Sequence, residues 1–245
     1  MGSLDVHATA FNNVGWFLPP YVTLGYLGNM VNEINTNGES FSQIDLENLL
    51  VRIYTKGHLS AMVAERYPIT PYVSEFKEII SESVKAHFLG LDHLAVIGLM
   101  PVIEGAGKKL ADHRQVSYSS IRSVFENLAT DCKNRSRQNN IGDVDEIESM
   151  MDSFINFTKD NLYINSSSYL HGDKTNRHGI LHGAYSDSDY GSPVNFYKAI
   201  GAVEFLCFIS AFDASISWFA SDKTENSLKL ENYYYMCELM ANARS

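Results

Sequence analysis

The chain has 245 residues, 45% hydrophobic and 20% charged, a balance that fits a folded protein with a sizeable core and excludes a disordered one. Its formal net charge of −10 argues against broad, non-specific binding to nucleic acid, so chemistry on RNA would have to work from a local basic patch. No basic stretch followed by an apolar core and a cleavage site opens the chain. Cys132, Cys207 and Cys237 lie too far apart for a metal pattern, and both features suit a reducing, cytoplasmic setting.

Taken in order, residues 1–20 read as irregular, with Met1-Gly2-Ser3 open to reading as an expression remnant. Trp16 and Phe17, just before Pro19-Pro20, are expected to pin this segment to the body. Leu24, Leu27, Met30, Val31 and Ile34 recur at helical spacing. A second helix is expected from near Ser42, with Ile44, Leu46, Leu49, Leu50, Ile53 and Tyr54 inward. Pro68 and Pro71 close this section, so residues 1–70 read as an N-terminal helical extension packed on a core helical domain, 71–245.

Residues 74–110 are strongly helical, and Pro101 is expected to kink or split them. A short helix over 116–129 is followed by the main basic cluster, from Lys133 to Asn140. Residues 143–162 form an acidic amphipathic helix, and a polar loop covers 163–175. Ser192-Pro193 starts a long apolar helix predicted to run to about Ala220. It carries Glu204 and Asp213, so it reads as a core helix and not a membrane span. A last helix spans about 227–241. With no run of alternating strand pattern and no internal repeat, the expected fold is an all-α helical bundle.

One stretch does not fit a bland surface helix: Asn176-Arg177-His178-Gly179-Ile180-Leu181-His182-Gly183. Thr175 and Asn176 are capping types, Gly183 sits where a C-terminal cap belongs, and Ile180 and Leu181 supply the apolar contact. Arg177 and His182 are five residues apart, about 140° around an ideal helix, so they share a site only if Arg177 swings across from the first turn. Arginine offers a forked set of donors suited to phosphate oxygens. Histidine can take or give a proton near neutrality. Together they are the minimum kit for cutting RNA without a metal: the 2′-hydroxyl must lose a proton, the leaving oxygen must gain one, and the phosphorus needs its charge neutralised.

This Arg-x4-His pattern, with a polar residue after the arginine, resembles the signature of the HEPN superfamily of all-α proteins. Many of its members are metal-independent endoribonucleases of toxin–antitoxin, abortive-infection and antiviral defence systems. The resemblance rests on residues 176–183 and their helical setting. It implies a HEPN-like bundle in which Arg177, His178 and His182 are catalytic and Asn176 is a flanking polar residue. It further implies a homodimer with the motif at its interface, no metal or cofactor, and RNA as substrate, tRNA among the candidates. A neutralising or regulatory protein partner would go with a toxin role.

Other readings stand beside it. Glu104, in the apolar run Pro101-Val102-Ile103-Glu104-Gly105, is either an ordinary salt-bridge residue or a group that orients Arg177 or His182 from a neighbouring helix. Lys133, Arg135 and Arg137 either lie in a solvated loop or guide the RNA backbone. His178 and His182 have the i, i+4 spacing of metal ligands, with a third ligand to be found in Glu104, His171 or Asp189. Gly179, however, stands where a His-Glu-x-x-His protease carries glutamate. No Gly-x-Ser-x-Gly or phosphate-binding Gly-x-x-x-x-Gly-Lys stretch occurs. The alternative to an enzyme is a non-catalytic helical interaction module.

Overall fold

Every residue after the first of the helix Pro193–Ser210 is buried, and the rest of the molecule is arranged to cover it. The computed structural model describes residues 4–243; Met1-Gly2-Ser3 lie outside the described residues. Among the described residues the chain forms α-helices joined by short 3-10 and π turns, with no strand. The helices are α1 (Asp5–Asn13), α2 (Leu24–Asn37), α3 (Gln43–Leu50), α4 (Lys56–Ala61), α5 (Lys77–Phe88) and α6 (Asp92–His113). After them come α7 (Ile121–Asn139), α8 (Val144–Phe157), α9 (Arg177–Leu181), α10 (Pro193–Ser210) and α11 (Glu225–Asn242). The protein is an all-α helical bundle with a helical N-terminal region.

Helix α10 packs against α6, α3 and α7, while α5 pairs with α6, α7 with α8, and α11 covers α4 and α5. A helix apolar all round has no solvent face to keep, so burial on every side is its stable placement. The aromatic segment after α1 closes one side. Phe17 meets Phe157 at 4.8 Å, Phe154 at 5.1 Å and Phe205 of α10 at 5.6 Å between ring centroids. Caps set several starts: Ser42 and Asp45 form a reciprocal box at α3, Thr224 and Ser227 at α11, and Asp143 accepts from Glu146 at α8.

The structure departs from the sequence reading in five places. Residues 5–13 are helical, not irregular. The 74–110 segment breaks at Gly90 (φ +70°), where Leu91 N–H donates to Ala86 O and Gly90 N–H to His87 O, the Schellman pattern of a helix end. Pro101 instead lies within an unbroken α6, with its ring on the exposed side, where the carbonyl it leaves without a donor can be hydrated. Helix α7 runs through the basic cluster to Asn139, because Lys, Arg and Gln are good helix formers and only the left-handed Asn140 (φ +51°) stops it. Helix α10 ends at Ser210, ten residues early. The 211–224 segment is tied back by buried Arg66, whose Nη1 donates to Ser217 O at 2.5 Å and Nη2 to Phe219 O at 2.6 Å.

Three charged groups are carried into the core on or against α10. Lys198 and Asp173 are both 0% exposed and pair at 2.8 Å, and Lys198 Nζ also donates to Gln43 Oε1 at 2.8 Å. Lys198 is therefore a structural cation. Glu204, 1% exposed on α10, meets His58 Nε2 at 2.7 Å and accepts from Tyr67 Oη at 3.3 Å. No helix among the described residues is long and apolar enough to cross a membrane.

Candidate functional site

The site is built from the loop that delivers the chain to α9. Asp173 anchors that loop. Its Oδ2 takes Lys198 and the Thr175 hydroxyl, and Tyr169 Oη donates to its Oδ1 at 3.0 Å. Lys198 and these hydroxyls hold the Asp173 carboxyl below the usual range against the opposing effect of burial. Asn195 of α10 locks the loop from the other side, donating to Asp173 O at 2.6 Å and Thr175 Oγ1 at 2.7 Å.

Asn176 then starts the helix. Its side-chain oxygen accepts from Gly179 N–H at 2.9 Å, and its amide donates to Asn161 O and Ile164 O, each at 2.9 Å. This buried residue is spent on main-chain groups, so it fixes where α9 begins. At the other end Gly183 (φ +69°) takes the left-handed cap position, and Ala184 N–H reaches back to Gly179 O. Gly179 has a packing reason of its own: a Cβ there would fall inside the Tyr185 ring, whose hydroxyl donates to Ser166 O at 3.1 Å. Tyr185 was not singled out in the sequence; a glycine in the middle of a five-residue helix is the signal that something approaches its backbone.

Arg177 and His182 do meet. His182 is the C-cap residue (φ −103°, ψ 9°), off the ideal helix, and Arg177 Nη1 lies 2.7 Å from His182 Nε2. Arginine has no acceptor to offer, so in this contact it donates and His182 Nε2 holds a lone pair. The opposite edge of the guanidinium is held by Glu104 of α6, with Nε to Oε1 at 2.5 Å and Nη2 to Oε2 at 3.3 Å. Glu104 and Arg177 are both mostly buried, while His182 is exposed. His178 stacks on His182 with ring centroids 5.6 Å apart. Partial burial, then the charge of Arg177, keeps His178 below the ordinary histidine value. Glu104, Arg177, His178 and His182 thus form one cluster at the surface.

The third ligand of a metal site is not assembled beside His178 and His182. Glu104 is committed to Arg177, and Asp189 accepts from Ser186 N–H at 2.7 Å and its hydroxyl at 2.8 Å. His171 lies against the backbone of Gly15. Among the described residues no group of three or more His, Cys, Asp or Glu is placed to hold a metal ion. Burial pushes the Cys132 thiol up to about 11 and Cys207 to about 12, so neither is a nucleophile near neutrality.

The basic cluster faces carboxylates. Lys133 pairs with Asp152 at 2.5 Å, Arg135 with Asp131 at 2.7 Å and Asp213 at 2.5 Å, and Arg137 with Glu148. These pairs brace α7 against α8 and against the segment after α10. No known protein family, curated protein or solved structure matches this chain. The site is therefore read on its own geometry.

Proposed function

We propose that the protein is a metal-independent endoribonuclease of the HEPN type, acting as a defence or toxin effector. The observation that carries this reading is the Glu104–Arg177–His182 relay. One carboxylate grips the inner edge of the arginine, leaving its outer edge directed at a solvent-exposed histidine with a lone pair on Nε2. In this mechanism the scissile phosphate takes the Nη1–H of Arg177, which frees the lone pair of His182 Nε2 to remove the proton of the 2′-hydroxyl. The 2′-oxygen bonds to phosphorus, the bond from phosphorus to the 5′-oxygen breaks, and a protonated histidine gives that oxygen its proton. The products are a 2′,3′-cyclic phosphate and a 5′-hydroxyl.

A base and an acid are needed together, and a homodimer with α9 at its two-fold axis would supply a second set of histidines. Helix α10 is buried all round and offers no surface for such a contact. The large exposed apolar side chains on the same helix as Glu104 are Leu94 and Ile97. Lys133, Arg135 and Arg137 belong to the proposal as an RNA track, in which each would exchange its carboxylate for a phosphate. A regulatory partner protein would bind over α9.

The test is incubation of the purified protein with total RNA and tRNA in EDTA. Cleavage leaving cyclic phosphate ends, lost in His182→Ala by about 10²–10⁴-fold, supports the reading. Activity that EDTA abolishes and zinc restores overturns it. The second reading, a non-catalytic helical interaction module, is favoured by one observation: every cation of the basic cluster is already neutralised within the chain. No RNA cleavage by wild type under any of these conditions would leave that reading in place.

A further inference from the structure

The turn between α5 and α6 brings together two side chains that the α9 chemistry does not use. Gly90 takes the left-handed conformation (φ +70°) and folds Asp92, in the first turn of α6, back onto His87, in the last turn of α5. His87 Nδ1 meets Asp92 Oδ1 at 2.5 Å, and the two side chains are only 7% and 10% exposed. A carboxylate can only accept, and the N-terminus of α6 favours its charge. The proton of the neutral ring therefore sits on Nδ1, and Nε2 carries the lone pair. Phe196 stacks on the ring at 4.0 Å and Tyr197 meets it edge-on at 5.1 Å, which holds its plane.

His87 Nε2 has no protein partner among the described residues, yet it is not sealed off. His87 and Asp92 line a cavity of about 490 Å³ between α4, α5, α11 and the start of α10, the size of a small-molecule site. A mostly buried acceptor left without a donor costs free energy unless water or a ligand supplies one. We propose that this cavity binds a small, uncharged ring compound through an O–H or N–H given to His87 Nε2. None of Glu104, Arg177, His178 and His182 lines it, so the site is independent of the chemistry assigned to α9.

The lining gives the reason for a flat and uncharged ligand. Tyr54, Phe88, Tyr197 and Tyr235 supply aromatic surface, with Tyr54 stacked on Tyr197 at 5.7 Å. Both lysines of the lining are already neutralised. Lys56 pairs with Glu238 at 2.8 Å and lies over the Tyr235 ring at 4.8 Å, and Lys223 pairs with Glu231 at 2.8 Å. Asp92 is spent on His87. A charged ligand would lose its hydration and find no free counter-charge. A ring without a donor would leave Nε2 unpaired.

The test uses four probes that share one ring: phenol, anisole, benzoate and benzylamine. Binding to the full chain is read by NMR on the imidazole nitrogens of isotope-labelled protein. Phenol should shift the Nε2 signal of His87 and saturate it, anisole should bind about tenfold more weakly, and the charged probes should not compete. Asp92→Asn releases the tautomer and should weaken phenol by about tenfold. If that chain loses its helical circular dichroism, Val51→Trp decides instead, because Val51 is an exposed residue on the cavity wall and the larger ring fills the space. Absence of phenol binding, an unmoved His87 signal, or anisole as tight as phenol overturns the proposal. So does a charged probe that binds more tightly than phenol, or a phenol response unchanged in the deciding variant.

Discussion

Glu104 and Arg177 show how far one residue's role depends on another's geometry. A guanidinium held along its Nε–Nη2 edge cannot rotate away, so its other edge is pre-aimed at His182. Glu104→Gln keeps the shape and removes the charge. Cleavage should fall about 10²-fold, as expected when a catalytic group is misplaced by about an ångström. The pair is mostly buried, so the melting temperature should fall as well, and cleavage is compared at a temperature where both proteins stay folded. A Glu104→Gln protein as active as wild type would show that Arg177 does not need this partner. Glu204 and His58 make a separate prediction. Burial pulls the His58 value down, but the charge and hydrogen bond of Glu204 outweigh it and leave it raised. A raised folded value means stability that is fully present below the unfolded histidine pKa, near 6.5, and lost as pH rises through the folded value. Urea midpoints should therefore decline with pH above about 6.5 in wild type and flatten in His58→Gln. The buried Lys198–Asp173 pair is less forgiving. Lys198→Met strands a carboxylate in the core and should cost about 3–5 kcal/mol in urea unfolding, and the added Asp173→Asn should recover part of it.

Among the elements, α9 was the most legible. Its cap residues, its terminal glycine and its two apolar contacts could all be read locally, since capping is a matter of neighbours in sequence. The meeting of Arg177 with Glu104, 73 positions earlier, was open as one of two readings and settled only by how α6 packs on α9. What sequence could not show was cost relief at a distance. Pro101 does not break α6 because it faces water, and Ile44, inward by periodicity, is 72% exposed because no element covers it. By charge alone the basic run reads as a solvated loop or an RNA track, yet its residues are strong helix formers with carboxylates waiting on α8. Gly179→Ala tests the local architecture. The added methyl has to displace the Tyr185 ring, so unfolding free energy should fall by about 1–3 kcal/mol, with loss of the Arg177–His182 contact and of any cleavage. A Gly179→Ala protein of wild-type stability would mean the ring moves freely.

At the scale of the whole molecule, the charge balance decides how RNA could approach. With −10 overall and Lys133, Arg135 and Arg137 each facing a carboxylate, attraction has to be local. If the three track the backbone, alanine at all three should lower the log–log salt slope of single-stranded RNA binding by about 0.7 for each lost contact. An unchanged slope would leave them as braces of α7 against α8 and against the segment after α10. The burial of α10 has a further consequence, one of timing. The spine on which α3, α6 and α7 close lies late in the chain, so while those helices are being made the faces that will meet it have no partner. At synthesis rates of about 5–20 residues per second, the wait from Leu50 at the end of α3 to Ser210, 160 residues later, is roughly 8–32 s. During that interval the nascent chain presents its future core to the surrounding solution. Its yield in a living cell should therefore depend on chaperone supply more than the stability of the finished fold would suggest.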